Sequence, residues 1–482
     1  MPQAMAGSPR AATAGKPESW QVRVWQVRAH PAPNHAAFRQ VFSPGPGARD
    51  RREACPQCCD PCTELNTEYF NTGPDTAELG VGAPAFMATE DLYRSDLLLA
   101  RHCQPDHPSD WAGGGETIFV TFGSYSDQHT LERAGFGEEF FHRHGLHAIH
   151  VLSRDNSWYQ HEEMEALLEA VRQRTRGFRN VFTYGSSMGA YAALRHARFL
   201  QATAIAMGPQ YSVDPKVMRR ENRWQESFHL PFVTERRQPI AQPRRAYVFY
   251  DSRCKLELLH MRRICRDITV TPVGLPYAGH IVANHLASTG QLSRAVRQIV
   301  EGRFDSARCI HAVWSARARS SCFFETRTEL LSRRHPHRAL SCARQAFALH
   351  PRSGAVLHTL ARCLLRVGDT QNAVRMAQRA VEREPAALPY RRFLAMAYLS
   401  AGDFEACRAE LETLLEEGTN LAATYHSLAK YHARQHQYEA AIDYEKRALA
   451  LNPARALYAR TLLLHRLARK LHALGLGALL PK

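Results

Sequence analysis

The last third of this 482-residue chain repeats itself every 34 residues, and no other feature restricts its fold as tightly. Pro351, Pro385 and Pro453 fall on multiples of 34, with Thr419 at the intervening node. Two lines of mostly small residues keep step: Ala339, Ala373, Cys407 and Ala441, then Ala346, Ala380, Leu414 and Ala448. Leu360, Leu394 and Leu428 form a third line. A unit of this length holds two helices and a turn. Small residues let the helices approach closely, and proline, which lacks an N–H, closes the second helix. One unit cannot bury its own apolar face, so the units must stack.

These register lines resemble the tetratricopeptide repeat. Four frames fit, beginning near Ser320, Gly354, Leu388 and Ala422, with Leu457 to Leu471 as a terminal capping helix. The first frame departs from the pattern, carrying Thr326 and Arg327 where Leu and Gly or Ala are usual. The resemblance implies an all-α solenoid over residues 320–482 whose concave groove takes an extended peptide or another protein.

Upstream the pattern is different. Short β-branched and aromatic runs at Thr117–Phe122, His147–Leu152, Val181–Tyr184, Ala202–Ala206, Ala246–Tyr250 and Ile268–Val273 alternate with helical stretches at Glu162–Arg174, Met188–Leu200, Leu256–Cys265 and Asn284–Val300. That alternation predicts an α/β domain over residues 86–305, a doubly wound, mainly parallel sheet covered on both faces. Residues 1–85, rich in Pro, Gly, Ala and Arg, are expected to be largely disordered, with one alternating stretch at Gln21–Val27. In that segment Cys55, Cys58, Cys59 and Cys62 form two adjoining C-x-x-C pairs. Zinc knuckles are normally separated by about a dozen residues or more, so no metal site is assigned to them.

Chemistry concentrates at Gly185-Ser186-Ser187-Met188-Gly189, a G-x-S-x-G sequence between a strand and a helix. Such a turn needs small flanking residues and lifts the serine hydroxyl from the end of the sheet. Serine is a poor nucleophile without a base, and the base needs a carboxylate to orient it. Asp251 and His280 follow two later strands and complete the order Ser187, Asp251, His280; Glu257 and Asp214 are alternatives for the acid, and His285 for the base. The Met188 N–H opens a helix and supplies one oxyanion donor, with Ser124 N–H, on the loop after the first predicted strand, as the second. Tyr125, Trp158 and Tyr159 are expected to line the pocket. The segment Pro209–Pro243, short and polar, predicts an open site.

Over roughly Glu90 to Gly302 this motif set resembles the α/β-hydrolase family, and the whole arrangement is similar to bacterial hydrolase-like proteins joined to tetratricopeptide repeats. The resemblance implies a serine esterase or thioesterase acting on a small acyl substrate, without cofactor or metal, and an association with surface polysaccharide production. A departure from the family is Phe122-Gly123, where a His-Gly pair is common. The alternative function is an inactive adaptor assembled through its repeats.

The formal charge of +16 would suit a nucleic-acid partner, but only seven of the 62 basic residues are lysine and no basic-aromatic stripe is present, so none is expected. No run reaches the ~20 apolar residues of a membrane span, and the first 20 residues lack a signal-peptide core; a cytoplasmic location is expected.

Overall fold

A computed structural model describes residues 88–126, 128–232, 238–418, 421–453 and 455–476. The expectations for residues 1–85, including the Gln21–Val27 stretch and the four-cysteine cluster, lie outside the described residues.

The first half is an eight-stranded sheet: β1 (Ala88–Arg94), β2 (Leu98–Gln104), β3 (Thr117–Phe122), β4 (His147–Ser153), β5 (Asn180–Ser186), β6 (Thr203–Met207), β7 (Arg245–Tyr250) and β8 (Thr271–Gly274), in spatial order β1-β2-β4-β3-β5-β6-β7-β8. From β4 to β8 neighbouring strands run parallel, while β2 pairs antiparallel with both β1 and β4. Alternate residues feed two cores. Ile118, Val120 and Phe122 of β3 and Ala204 and Ala206 of β6 face one side, and Phe119, Ile205 and Met207 the other. Burial on both sides is why these strands read as continuous apolar runs.

Helices α1 (Glu138–Arg143), α2 (Met164–Thr175), α3 (Met188–His196), α4 (Lys255–Asp267), α5 (Val282–Ser288), α6 (Leu292–Val300) and α7 (Ser306–Ala316) clothe the sheet. Leu167 of α2, Ala192 of α3 and Ile264 of α4 pack on the first face; Phe141 of α1, Leu286 of α5, Ile299 of α6 and Val313 of α7 pack on the second. The single helix expected over Asn284–Val300 is two, broken at Gly290, whose φ is +70°. The last strand starts at Thr271 rather than Ile268, because Ile268 caps α4 by donating its N–H to Ile264. The hairpin β1–β2 was not anticipated: β1 is an edge strand, largely exposed, and lacks an apolar run.

The second half is helical: α8 (Ser321–Leu331), α9 (Pro336–Leu349), α10 (Gly354–Arg366), α11 (Thr370–Arg383), α12 (Leu388–Ala401), α13 (Phe404–Glu416), α14 (Leu421–Arg434), α15 (Tyr438–Leu451) and α16 (Ala456–Ala473). The register lines are its core. Ala339, Ala373, Cys407 and Ala441, and Ala346, Ala380, Leu414 and Ala448, are buried between helices, as are Leu360, Leu394 and Leu428. Asp369 and Asp403 cap α11 and α13 by accepting the N–H of Asn372 and Ala406, which fixes where the second helix of each unit starts.

Candidate active site

Ser187 sits between β5 and α3 with φ 52° and ψ −119°, a backbone region that costs on the order of 1–3 kcal/mol and persists only when its surroundings enforce it. Its N–H donates to Met207 O at 2.9 Å. The two glycines of the motif are sterically required. A Cβ on Gly185 would fall 2.3 Å from the Gly189 carbonyl carbon, and one on Gly189 would fall 2.1 Å from Phe122 O.

The Ser187 hydroxyl lies 2.8 Å from His280 Nε2, and His280 Nδ1 lies 3.0 Å from Glu257 Oε1. The carboxylate in line with Ser187 and His280 is therefore that of Glu257, and the assignment of Asp251 is corrected. Asp251, at the end of β7, turns its carboxylate to backbone instead, accepting the N–H of Arg253 (2.7 Å), Tyr277 (3.1 Å) and Gly279 (2.9 Å). It ties down the loop before His280 and leaves the ring to Glu257, in the first turn of α4. Asp214 serves its own turn by accepting the Lys216 N–H at 2.9 Å. His285 is engaged elsewhere, its Nδ1 2.8 Å from Ser320 Oγ, and burial lowers it to about 4.

Behind Glu257 is a chain of buried charges that the sequence reading missed. Arg223 places Nη1 2.8 Å from Glu257 Oε1 and Nη2 2.6 Å from Glu221 Oε2; Glu221 also faces His260 Nε2 at 2.8 Å. Burial pushes Glu257 upward, but the charges of His280 and Arg223 outweigh it and hold the carboxyl down to about 2. Glu221 is likewise raised by burial and pulled further down by Arg223 and His260, ending well below the usual carboxylate range. Asp251 goes the other way: burial lifts it to about 6 against the pull of its backbone donors. The trace in sequence was Glu221-Asn222-Arg223-Trp224, opposite charges beside a tryptophan in a stretch otherwise read as polar. Gln210 was missed too; its amide Nε2 lies 3.1 Å from His280 Nε2.

The opposite wall comes from the loop after β3. Gly123 N–H donates to Val151 O at 3.1 Å, so the next amide along is that of Ser124, whose hydroxyl donates to Ser186 O at 2.9 Å and pins the loop to the serine turn. Met188 is the first residue of α3, where an amide has no intrahelical acceptor. Tyr159 braces the loop after β3 from behind: it is buried, and its hydroxyl donates to Gly123 O at 2.9 Å. Trp158 is also fully buried and donates from Nε1 to Ser227 Oγ at 3.0 Å. The aromatic surface beside His280 is Trp224, 5.8 Å from its ring, with half-buried Tyr125 packed on Trp224 at 5.2 Å. Within the segment Pro209–Pro243, Trp224 and Phe232 are fully buried, and Ser187 is 8% exposed.

Among the described residues no group of three or more His, Cys, Asp or Glu is placed to hold a metal ion, and no helix is long and apolar enough to cross a membrane.

A family model described as the tetratricopeptide repeat matches residues 364–430, from the end of α10 into α14. The C-terminal array is built of tetratricopeptide repeats. No curated protein matches the chain. Among solved structures, the chain is similar to YrrB, a TPR protein with an unusual peptide-binding site, at 16% identity over 37% of this chain and 87% of that one, with a TM-score of 0.28. It is also similar to TTC0263, a thermophilic TPR protein of Thermus thermophilus, at 16% identity over 37% and 99% of the two chains and a TM-score of 0.30. For MamA from Desulfovibrio magneticus RS-1 the values are 18%, 32%, 87% and 0.26.

Proposed function

We propose that this chain is a serine hydrolase of the α/β-hydrolase fold that cleaves small acyl esters or thioesters, joined to a repeat array that holds a protein partner. The observation that carries the reading is the continuous line Ser187 Oγ, His280 Nε2, His280 Nδ1, Glu257 Oε1, at 2.8 and 3.0 Å, starting from a serine in a strained turn. The strand order, with its antiparallel second strand, and the strand-turn-helix setting of Ser187 support the family assignment.

Ser187 attacks the carbonyl as its proton passes to His280 Nε2, and Glu257 holds the Nδ1 proton and stabilises the charged ring. The amides of Met188 and Ser124 receive the oxyanion. His280 then protonates the leaving alkoxide or thiolate. A water then attacks the acyl-enzyme as its proton passes to Nε2, and that proton goes on to Ser187 Oγ as the Oγ–acyl bond breaks and the acid leaves. The test is labelling by a fluorophosphonate probe of the wild type, Ser187→Ala and His280→Ala; labelling that requires both residues supports the enzyme.

A second reading, an inactive adaptor assembled through its repeats, is favoured by the family match falling within the array. A folded wild type that does not label decides for it.

A further inference from the structure

We infer that the first repeat is a working part of the site just described, with Phe323, Thr326 and Arg327 of α8 as positioning residues for the loop that carries His280. This rests on the hydrolase reading.

The loop between β8 and α5 contains two left-handed residues within three positions, Tyr277 at φ 63° and Gly279 at φ 71°. At Tyr277, which is not glycine, that conformation persists only when its surroundings hold it. Asp251 grips it from the sheet side through the Tyr277 and Gly279 amides. The other grip comes from the repeat array. Phe323 meets the Tyr277 ring edge-on at 5.8 Å, and the Arg327 guanidinium lies over both Tyr277 (5.7 Å) and Phe323 (5.5 Å). The residue next to His280 is flush against the helix, since a Cβ on Gly279 would stand 2.8 Å from Thr326 Oγ1. Just beyond, the pair His285 and Ser320 is buried, and the same Ser320 hydroxyl caps α8 by accepting the Phe323 N–H. The joint is a packed, hydrogen-bonded surface rather than a linker.

The sequence carries the same message. Stepping by 34 from Thr326 and Arg327 gives Leu360 and Ala361, Leu394 and Ala395, Leu428 and Ala429. All six are buried between helices. The first repeat alone replaces this Leu-Ala pair with Thr-Arg, because its helix packs on the histidine loop and not on a preceding repeat. A displacement of about 1 Å at a reacting group costs on the order of 10²-fold in rate, so a loose loop is read directly as slower acylation.

The experiment measures fluorophosphonate labelling of the full-length chain against probe concentration, separating the limiting rate from the half-saturating concentration. Arg327→Ala and Thr326→Ala are each expected to lower the limiting rate, Arg327→Ala by about tenfold or more, with half-saturation unchanged. Arg327→Lys, which keeps the cation over Tyr277, restores most of it. Arg379→Ala removes a comparable cation–π contact, over Phe347 at 5.4 Å elsewhere in the array, and leaves the rate at the wild-type value. Thermal unfolding of each variant shows that the fold is kept, and Thr326→Ala, which removes only a hydroxyl and a methyl, decides the matter should Arg327→Ala not fold. Folded variants that label like a labelling wild type overturn this inference and leave the hydrolase reading intact, whereas a wild type that does not label overturns both.

Discussion

Arg223 Nη1 lies 2.8 Å from the same Glu257 oxygen that His280 Nδ1 approaches at 3.0 Å. The candidate acid is thus shared between the ring that it orients and a guanidinium that is only 2% exposed. Arg223 also neutralises Glu221, so its removal leaves two buried carboxylates facing each other's field. Arg223→Met is expected to lower the unfolding free energy by about 3–5 kcal/mol, the usual result of breaking a buried ion pair from one side. Urea unfolding of the two proteins measures it.

Glu257 and Asp251 are separable by isosteric amides. Glu257→Gln retains the shape but offers His280 Nδ1 a neutral partner that can present the wrong tautomer; in serine hydrolases a change of this kind costs about 10⁴-fold. A fall in fluorophosphonate labelling of that order is expected. Asp251→Asn leaves the Ser187–His280–Glu257 line intact and weakens three backbone anchors. Its labelling falls far less than that of Glu257→Gln while its thermal midpoint drops. Equal losses of labelling in the two variants would contradict the geometry.

The same two carboxylates give opposite pH dependences of stability. Glu257, held at about 2 against an unfolded value of about 4.3, contributes stability that is present above the unfolded value and is lost as pH falls toward 2. Asp251, raised to about 6 against about 3.9, favours the folded state while protonated, and that contribution is lost as pH rises from near 4 through 6. Unfolding free energies measured across pH 2 to 7 should lose slope in the lower window for Glu257→Gln and in the upper window for Asp251→Asn.

The serine turn and the place of His280 were legible in the sequence for reasons that are local. Ser187 is announced by its flanking glycines, and His280 by its place after the last strand. The carboxylate beside His280 was misread because which one reaches the ring depends on a rotation that pattern does not contain. Asp251 lies directly at a strand end, but the loop amides of Tyr277 and Gly279, 26 and 28 residues further on, capture its carboxylate. Glu257 reaches the ring from inside a helix whose exposed-looking composition hides it. Arg223 left only a faint trace for a related reason: a buried cation is fully legible only once Glu221, Glu257 and His280 are known to surround it. The array was legible throughout because its period is itself the packing rule.

That packing rule has a limit that can be tested at Ala380. Its register line accepts Leu at position 414, so the line does not demand alanine as such. Ala380 is fully buried against Leu357 and Tyr390, whereas Leu414 is packed among Leu399, Leu411 and Leu428. A longer side chain at 380 would have to compete for space with the Tyr390 ring of the same buried cluster. Ala380→Leu is therefore expected to destabilise the protein by about 1–3 kcal/mol through overpacking. Tyr390→Leu, made in the same background, should recover part of the loss, with a coupling of about 0.5–3 kcal/mol. Unfolding of the four proteins of the cycle measures this coupling. Strict additivity would show that the two side chains do not compete for one space.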